Sequence, residues 1–260
     1  MRRAALVTGA GKRLGRAMAL YLAGRGHDVA VHYASSRAEA EAVAEAARAL
    51  GVRAVAVQAD LTVEAEMQAL VAAAAAALDT PMTVLVNNAS IFEYDDLASA
   101  TRQSWDRHLE SNLRAPFVLT QRFAAQAPDP LRDAAGEPVA RALVVNLIDQ
   151  RVRKLTPEFM TYTIAKMGLW AFTRTAAQAL APAIRVNAIG PGPTLQGARQ
   201  SAEDFARQRA ACVLGRGAGP EDITAALGYF LDAPAVTGQL LCLDGGQHLA
   251  WQTPDVMGVE

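Results

Sequence analysis

Short apolar runs alternate with longer amphipathic stretches along almost the whole chain. The apolar runs are Ala4–Val7, Val29–Tyr33, Ala54–Val57, Val84–Val86, Ala142–Leu147, Ile184–Ala188 and Leu240–Leu243. Between them lie stretches of helical character, such as Ala38–Leu50 and Glu64–Leu78. A short run that is apolar throughout reads as a strand buried on both faces, the condition of a parallel sheet covered by helices. Strands alternating with helices build right-handed βαβ units. The pattern predicts an α/β fold: one doubly wound domain over residues 1–250, with a seven-stranded parallel sheet and helices on both faces. The Ala-rich tract Ala72–Ala77 favours helix and lets that helix lie close to the sheet.

Two stretches interrupt the alternation. Pro128–Pro138 has turn chemistry and reads as a surface loop. Gly190–Gln200 is Gly- and Pro-rich and leads into a helical run, which suggests a substrate lid over about residues 190–212. A polar tail follows over residues 251–260.

Composition excludes several classes of function. The net charge of −1 argues against a nucleic-acid or anionic-membrane binder, which carries a basic excess. Cys212 and Cys242 are too few for a disulfide scaffold, and the four histidines lack zinc-type spacing, so no metal is expected. The longest apolar candidate, Leu70–Leu78, falls far short of the ~20 residues a membrane span needs. The Arg2-Arg3 start is followed by too short an apolar stretch for a secretory signal. A cytoplasmic location is the expectation.

The first strand runs into Thr8-Gly9-Ala10-Gly11-Lys12-Arg13-Leu14-Gly15, and a helix follows. Strand, glycine turn and helix N-terminus together suit a phosphate, because glycines allow close backbone approach and the helix N–H groups face the anion. The second strand leads into Tyr33-Ala34-Ser35-Ser36-Arg37. An NAD site would place an acid near Tyr33 or Ala34 for the ribose 2′-hydroxyl, and no acid occurs there until Glu39. Arg13, Ser35, Ser36 and Arg37 instead supply cations and hydroxyls suited to a 2′-phosphate, so NADP(H) is the expected cofactor. Ser36 also reads as a helix N-cap. Asp60 follows the third strand, placed to accept a bond from adenine or to cap the next helix. Asn87-Asn88-Ala89-Ser90 follows the fourth strand at the same sheet edge, where ligands of open α/β sheets collect.

Tyr162 and Lys166 stand at i, i+4 and share one helix face. A neighbouring ammonium lowers a phenol's pKa from its ordinary ~10, which would suit Tyr162 to acid–base work. Asp149 stands at the end of the fifth strand, Asn112 in a helical stretch after the fourth, and Pro191-Gly192-Pro193-Thr194 after the sixth.

With Thr8-Gly9, Asp60, Asn87-Asn88-Ala89, Asn112, Tyr162, Lys166, Pro191-Gly192 and Asp244-Gly245-Gly246 in this order, the chain resembles the short-chain dehydrogenases/reductases over nearly its full length. The resemblance implies a Rossmann domain and a catalytic tetrad of Asn112, Asp149, Tyr162 and Lys166. It implies cofactor contacts from Gly9, Gly11, Lys12, Arg13 and Leu14 in the glycine turn, and from Tyr33, Ser35 and Ser36 after the second strand. Further contacts would come from Asp60 and Leu61, Asn88 and Ala89, Tyr162 and Lys166, and Pro191, Gly192 and Thr194. The nicotinamide would lie beside Tyr162, with its carboxamide near Ile189 and Thr194. Family members are commonly oligomeric, which implies a homotetramer or homodimer packed through helices at Ala115–Gln126 and Tyr162–Ala181.

Two departures narrow the resemblance. Most members have Ser where Asp149 stands and Gly where Arg13 stands. The pteridine reductases and dihydromonapterin reductases share both replacements, and resemble this chain at Gly11-Lys12-Arg13-Leu14-Gly15, His32-Tyr33, Asn87–Ser90 and Tyr162-Thr163-Ile164-Ala165-Lys166. That resemblance implies substrate contacts by Arg13, Ser90, Phe92, Asp149 and Tyr162, with a pterin stacked between Phe92 and the nicotinamide. Reducing a C=N bond puts a proton on nitrogen, which a carboxylic acid can deliver or relay and Ser cannot. The expected function is NADPH-dependent reduction of a C=N bond in a dihydropterin or dihydrofolate-like substrate. Asn112 would hold helix backbone and water in the proton relay. The alternative is an oxidoreductase of the same family acting on an unrelated carbonyl, alcohol or imine. A non-catalytic nucleotide-binding protein is disfavoured by the intact Tyr162/Lys166 pair. The basic stretch Asp149-Gln150-Arg151-Val152-Arg153-Lys154-Leu155 reads either as a solvated loop or as an attraction for an anionic substrate tail. The histidines and cysteines are assigned no role.

Overall fold

A computed structural model describes residues 3–197, 200–253 and 256–257. Residues 198 and 199 of the expected lid and most of the last seven residues of the expected tail lie outside the described residues. In chain order the elements are β1 (Ala4–Val7), α1 (Arg13–Gly24), β2 (Asp28–Tyr33), α2 (Arg37–Ala49), β3 (Ala54–Gln58), α3 (Glu64–Leu78) and β4 (Val84–Asn87). Then come α4 (Arg102–Leu109), a π-helical turn (Glu110–Arg114), α5 (Ala115–Ala124), β5 (Ala142–Leu147), α6 (Met160–Leu180) and β6 (Ile184–Pro191). The chain ends with α7 (Ala202–Ala210), α8 (Pro220–Asp232) and β7 (Leu240–Leu243).

The seven strands form one parallel sheet in the order β3-β2-β1-β4-β5-β6-β7. Each apolar run of the sequence is one strand of this sheet. Successive strand residues point to opposite faces, so each strand feeds two cores. Ala5, Val7, Val31 and Val86 pack with Met18, Leu22, Val43 and Phe230, beneath α1, α2 and α8. Ala4, Leu6, Leu85 and Val144 pack on the other face with Met67, Leu70, Leu119 and Phe123, beneath α3 and α5. No described helix is long and apolar enough to cross a membrane.

The Pro128–Pro138 segment is more ordered than a plain loop. Leu131–Arg132 pairs antiparallel with Pro138–Val139, and Gly136 (φ +82°) turns the chain between them. The local alternation of this segment is too short to read as strand.

The helix that carries Tyr162 and Lys166 is tied to the sheet by polar bonds as well as apolar packing. Asn87 Nδ2 on β4 donates to Asn146 Oδ1 on β5 at 2.8 Å, and Asn146 Nδ2 donates to Thr173 Oγ1 on α6 at 2.9 Å. Thr173 in turn donates to the Leu169 carbonyl at 2.8 Å. All three side chains are buried. Replacing Asn146 by Leu strands the Asn87 donor in an apolar setting. The Asn146→Leu variant is expected to lose ~1–3 kcal/mol of stability, read as a lower urea midpoint at unchanged slope.

Candidate active site

The glycine turn is built by strand ends meeting one another. Gly9 has φ +60°, and a Cβ on Gly15 would collide with the Gly9 carbonyl and with Asn88 Nδ2. Asn88 Nδ2 donates to the Thr8 carbonyl at 2.8 Å and to the Gly9 carbonyl at 3.2 Å. Thr8 Oγ1 accepts from the backbone N–H groups of Asn88 and Ala89, both at 2.9 Å. The β1 and β4 ends are thereby locked together.

His32 extends this lock to β2 and β3. The Gly9 N–H donates to His32 Nδ1 at 3.0 Å, so Nε2 carries the proton and donates to the Ala59 carbonyl at 2.9 Å. Burial pushes the His32 pKa down to about 4, which keeps the ring neutral as this geometry requires. Sequence reasoning assigned His32 no role. The available signal was a histidine within the apolar run Val29–Tyr33.

The turn opens on a cleft of about 460 Å³ lined by Gly9, Lys12, Arg13, Leu14, Tyr33, Ser35, Ser36, Asn88, Ala89, Ser90, Pro191, Gly192 and Thr194, among others. Most of the residues expected at the cofactor therefore share one cleft. A Cβ on Gly11 would come within 3.3 Å of Ser36 Oγ and the Ala40 N, a tight fit that a side chain there could meet only by displacing them slightly. Ser36 occupies the N-cap position of α2, but its side chain makes no capping bond. Lys12 pairs with Glu39 at 2.6 Å, which neutralises the acid nearest the serines and holds its carboxyl below the usual range. Thr194 is buried and donates to the Gly192 carbonyl at 3.1 Å.

Three expected roles read differently in three dimensions. Asp60 does not cap α3, whose N-cap is Val63. Its carboxylate instead accepts from the Thr62 N–H at 2.9 Å and the Thr62 hydroxyl at 2.7 Å, closing a tight turn. Leu61 puts its side chain into the core and is not among the residues lining the cleft. Asn112, in the π-helical turn, accepts from the Ile91 N–H at 2.9 Å and donates to the Ile91 carbonyl at 2.8 Å. Its amide is thus spent on the loop after β4 rather than on helix backbone.

Arg13 has φ +53°, a left-handed conformation that costs a non-glycine residue ~1–2 kcal/mol. A glycine would bear no such cost at this position. Its guanidinium spans the cleft and donates to the Leu195 and Gln196 carbonyls at 3.0 and 2.8 Å.

Outside the lining of that cleft, Tyr162 on α6 donates its hydroxyl proton to Asp149 Oδ2 at 3.0 Å. Asp149 Oδ1 accepts from the Arg151 N–H at 2.8 Å, which caps the short helical turn Gln150–Val152. Lys166 Nζ donates to the Leu147 carbonyl at 2.8 Å and lies 5.6 Å from the Tyr162 ring centre.

The electrostatics overturn one expectation. Lys166 was expected to lower the Tyr162 pKa. Burial, followed by the charge and hydrogen bond of Asp149, instead pushes it well above the ordinary value. Asp149 is in direct contact and Lys166 is not. Burial also pushes the Asp149 carboxyl up, against the opposing pull of Arg151 and Tyr162. Lys166 is pushed down to about 8 by burial, with Asp149 opposing. The arrangement puts a phenol that keeps its proton in contact, at one point, with a carboxyl that burial holds above its ordinary range.

Aromatic rings wall this point. Phe92 stacks on Phe159 with centres 4.3 Å apart and planes 9° apart, and meets Tyr162 edge-on at 4.8 Å. Tyr94 meets Phe159 edge-on at 5.3 Å, and the Arg151 guanidinium lies 5.1 Å from the Phe159 centre. Phe92 remains 46% exposed, so it lines the mouth rather than plugging the core. Phe159, Tyr94, Asp95 and His108 were not foreseen as part of this neighbourhood.

The family model described as enoyl-(acyl carrier protein) reductase matches residues 9–248. The chain belongs to this branch of the short-chain dehydrogenase/reductase family. Among solved structures it is similar to the FolM alternative dihydrofolate reductase 1 of Brucella suis in complex with NADP. That match has 43% identity, covers 98% of each chain and has a TM-score of 0.90. It is similar to the landomycin C-6 ketoreductase LanV with bound NADP and rabelomycin, at 28% identity, 95% and 96% coverage and a TM-score of 0.82. Among curated proteins it is 32% identical to the 3-oxoacyl-[acyl-carrier-protein] reductase FabG of Staphylococcus aureus, over 96% of this chain and 99% of that one.

The Lys166 shift has a measurable consequence. Its folded-state pKa of about 8 lies below the ordinary 10.5, so the folded state binds fewer protons than the unfolded state between those values. Its charged form is thus penalised in the folded state, and stability rises with pH across that window. Wild type is expected to gain stability on Lys166→Met as pH rises from about 8 toward 10.5, checked by urea unfolding at stepped pH.

Proposed function

We propose that the protein is an NADPH-dependent reductase of a C=N bond in a dihydropterin or dihydrofolate-like substrate. The observation that carries this reading is the 3.0 Å contact between the Tyr162 hydroxyl and Asp149, a half-buried residue with a carboxyl where the family resemblance implies Ser. The similarity to FolM dihydrofolate reductases agrees with it.

The residues present fit NADPH. The glycine turn and the α1 N-terminus suit the diphosphate, while Ser35, Ser36, Arg37 and Arg13 suit the 2′-phosphate. NADPH, when bound, supplies the hydride. The protein's own groups supply position and proton. Phe92 offers an aromatic face to a planar ring. Tyr162, kept protonated by its surroundings, and Asp149, held toward its acid form by burial, place a proton where a reduced nitrogen needs one. Lys166 adds a cation near Tyr162 and is placed to hold the ribose. The segment over residues 190–212 serves as the lid, with Arg13 reaching its backbone. A second reading, reduction of a ketone, has the support of the FabG and LanV similarities.

Two measurements test this proposal. NADPH oxidation is followed with dihydropterins, dihydrofolate and a ketone panel. Tyr162→Phe is expected to lose ~10²–10⁴-fold in kcat. Asp149→Ser is expected to lose dihydropterin turnover while still binding NADPH. The wild-type rate falls as pH rises through the raised Asp149 pKa, because the acid form donates, and Asp149→Asn flattens that limb. Turnover confined to ketones would select the second reading. Separately, Ala34→Asp places a carboxylate beside the 2′-phosphate. It is expected to weaken NADPH binding about tenfold or more, ~1.4 kcal/mol, and to narrow the preference over NADH.

A further inference from the structure

We infer that Asp95, Thr161 and His108 form a positioning unit that ties the substrate-facing loop after β4 to the first turn of α6. The inference rests on the reading that Tyr162 serves the chemistry, since Tyr162 is the residue the unit places.

The first turn of α6 lacks a cap of its own. Phe159 stands at its N-cap with φ +54° and makes no side-chain capping bond. The cap comes from 66 positions away in the chain. Asp95 Oδ1 accepts from the Thr161 N–H at 3.1 Å, and the Asp95 carbonyl accepts from the Met160 N–H at 3.3 Å. Asp95 Oδ2 accepts from the Thr161 hydroxyl. Asp95 is 1% exposed. A buried carboxylate is tolerable there because it faces the positive end of the helix dipole and is fully hydrogen-bonded.

His108 closes the circuit from α4. The Glu93 N–H donates to His108 Nε2 at 3.2 Å, so Nε2 is an acceptor and the proton sits on Nδ1. Nδ1 therefore donates to Thr161 Oγ1 at 2.7 Å, and the Thr161 hydroxyl passes its own proton on to Asp95. Each member has one direction available. Thr161 is the junction where the loop, α4 and α6 meet. It directly precedes Tyr162, and Phe92 directly precedes Glu93. The His108 and Tyr162 rings meet edge-on at 6.0 Å. One hydroxyl thus sets the spacing between the Phe92 wall and the Tyr162 hydroxyl.

Thr161→Val keeps the shape and removes the hydroxyl, while Thr161→Ser keeps the hydroxyl. Amide hydrogen exchange is measured on residues 90–97 and 159–166, beside Tm and NADPH oxidation. Thr161→Val is expected to speed exchange about tenfold in both segments together, with Thr161→Ser close to wild type. With a turned-over substrate, Thr161→Val lowers kcat about tenfold while KM for NADPH stays within about twofold, and Thr161→Ser restores kcat. Faster exchange in one segment alone, or in neither, would overturn the inference, as would an unchanged kcat in Thr161→Val. The exchange measurement needs no substrate. A failure of Tyr162→Phe to lower turnover would therefore sink the proposed chemistry while leaving the coupling decided by exchange. A Thr161→Val protein that does not fold moves the same test to Asp95→Asn, where joint loosening supports the unit and loosening of one segment overturns it.

Discussion

Buried polar side chains at the C-terminal ends of the strands are the constraint on which the site depends. A parallel sheet covered by helices leaves no water to satisfy such groups, so they must find one another. Thr8, His32, Asn87 and Asn146 are all buried there. Thr8 and Asn88 lock β1 to β4, His32 locks the glycine turn to the end of β3, and Asn87 with Asn146 and Thr173 locks β4 and β5 to α6. The glycine turn and the helix that carries Tyr162 are two ends of this one seam.

On that frame, burial acts with opposite sign on neighbouring groups. It raises the Asp149 carboxyl and the Tyr162 phenol and lowers the Lys166 ammonium. Each shift favours the neutral form, as desolvation requires. The outcome is a phenol that keeps its proton against a carboxyl pushed toward its acid form, at one point beside aromatic walls. Such a point is suited to protonating a substrate atom. The same burial makes exclusion of water part of the site's chemistry.

The strand pattern was almost fully legible, because burial on both faces leaves an unbroken apolar run. All seven runs became strands of one sheet, and Glu64–Leu78 became a helix with those bounds. The glycine turn was legible for a similar reason: close backbone approach leaves glycine at Gly9, Gly11 and Gly15. The hairpin at Leu131–Val139 was not, since its strands are two residues each. The effect of Lys166 on Tyr162 was read from i, i+4 spacing alone. Burial of the phenol, and then contact with Asp149 thirteen positions earlier, reversed it.

From its own pattern the chain determined a doubly wound sheet, the edge where ligands gather, and the chemical types gathered there. These follow from periodicity and residue chemistry, which are local. Tertiary structure alone decided that Asn112 clamps Ile91, that Asp60 closes a turn instead of capping a helix, and that Arg13 spans the cleft. It alone joined His32 to Gly9, and Asp95 and His108 to Thr161. A buried hydrogen bond is specified by distance and direction, and groups tens of positions apart in the chain acquire these only when the sheet and helices bring them together.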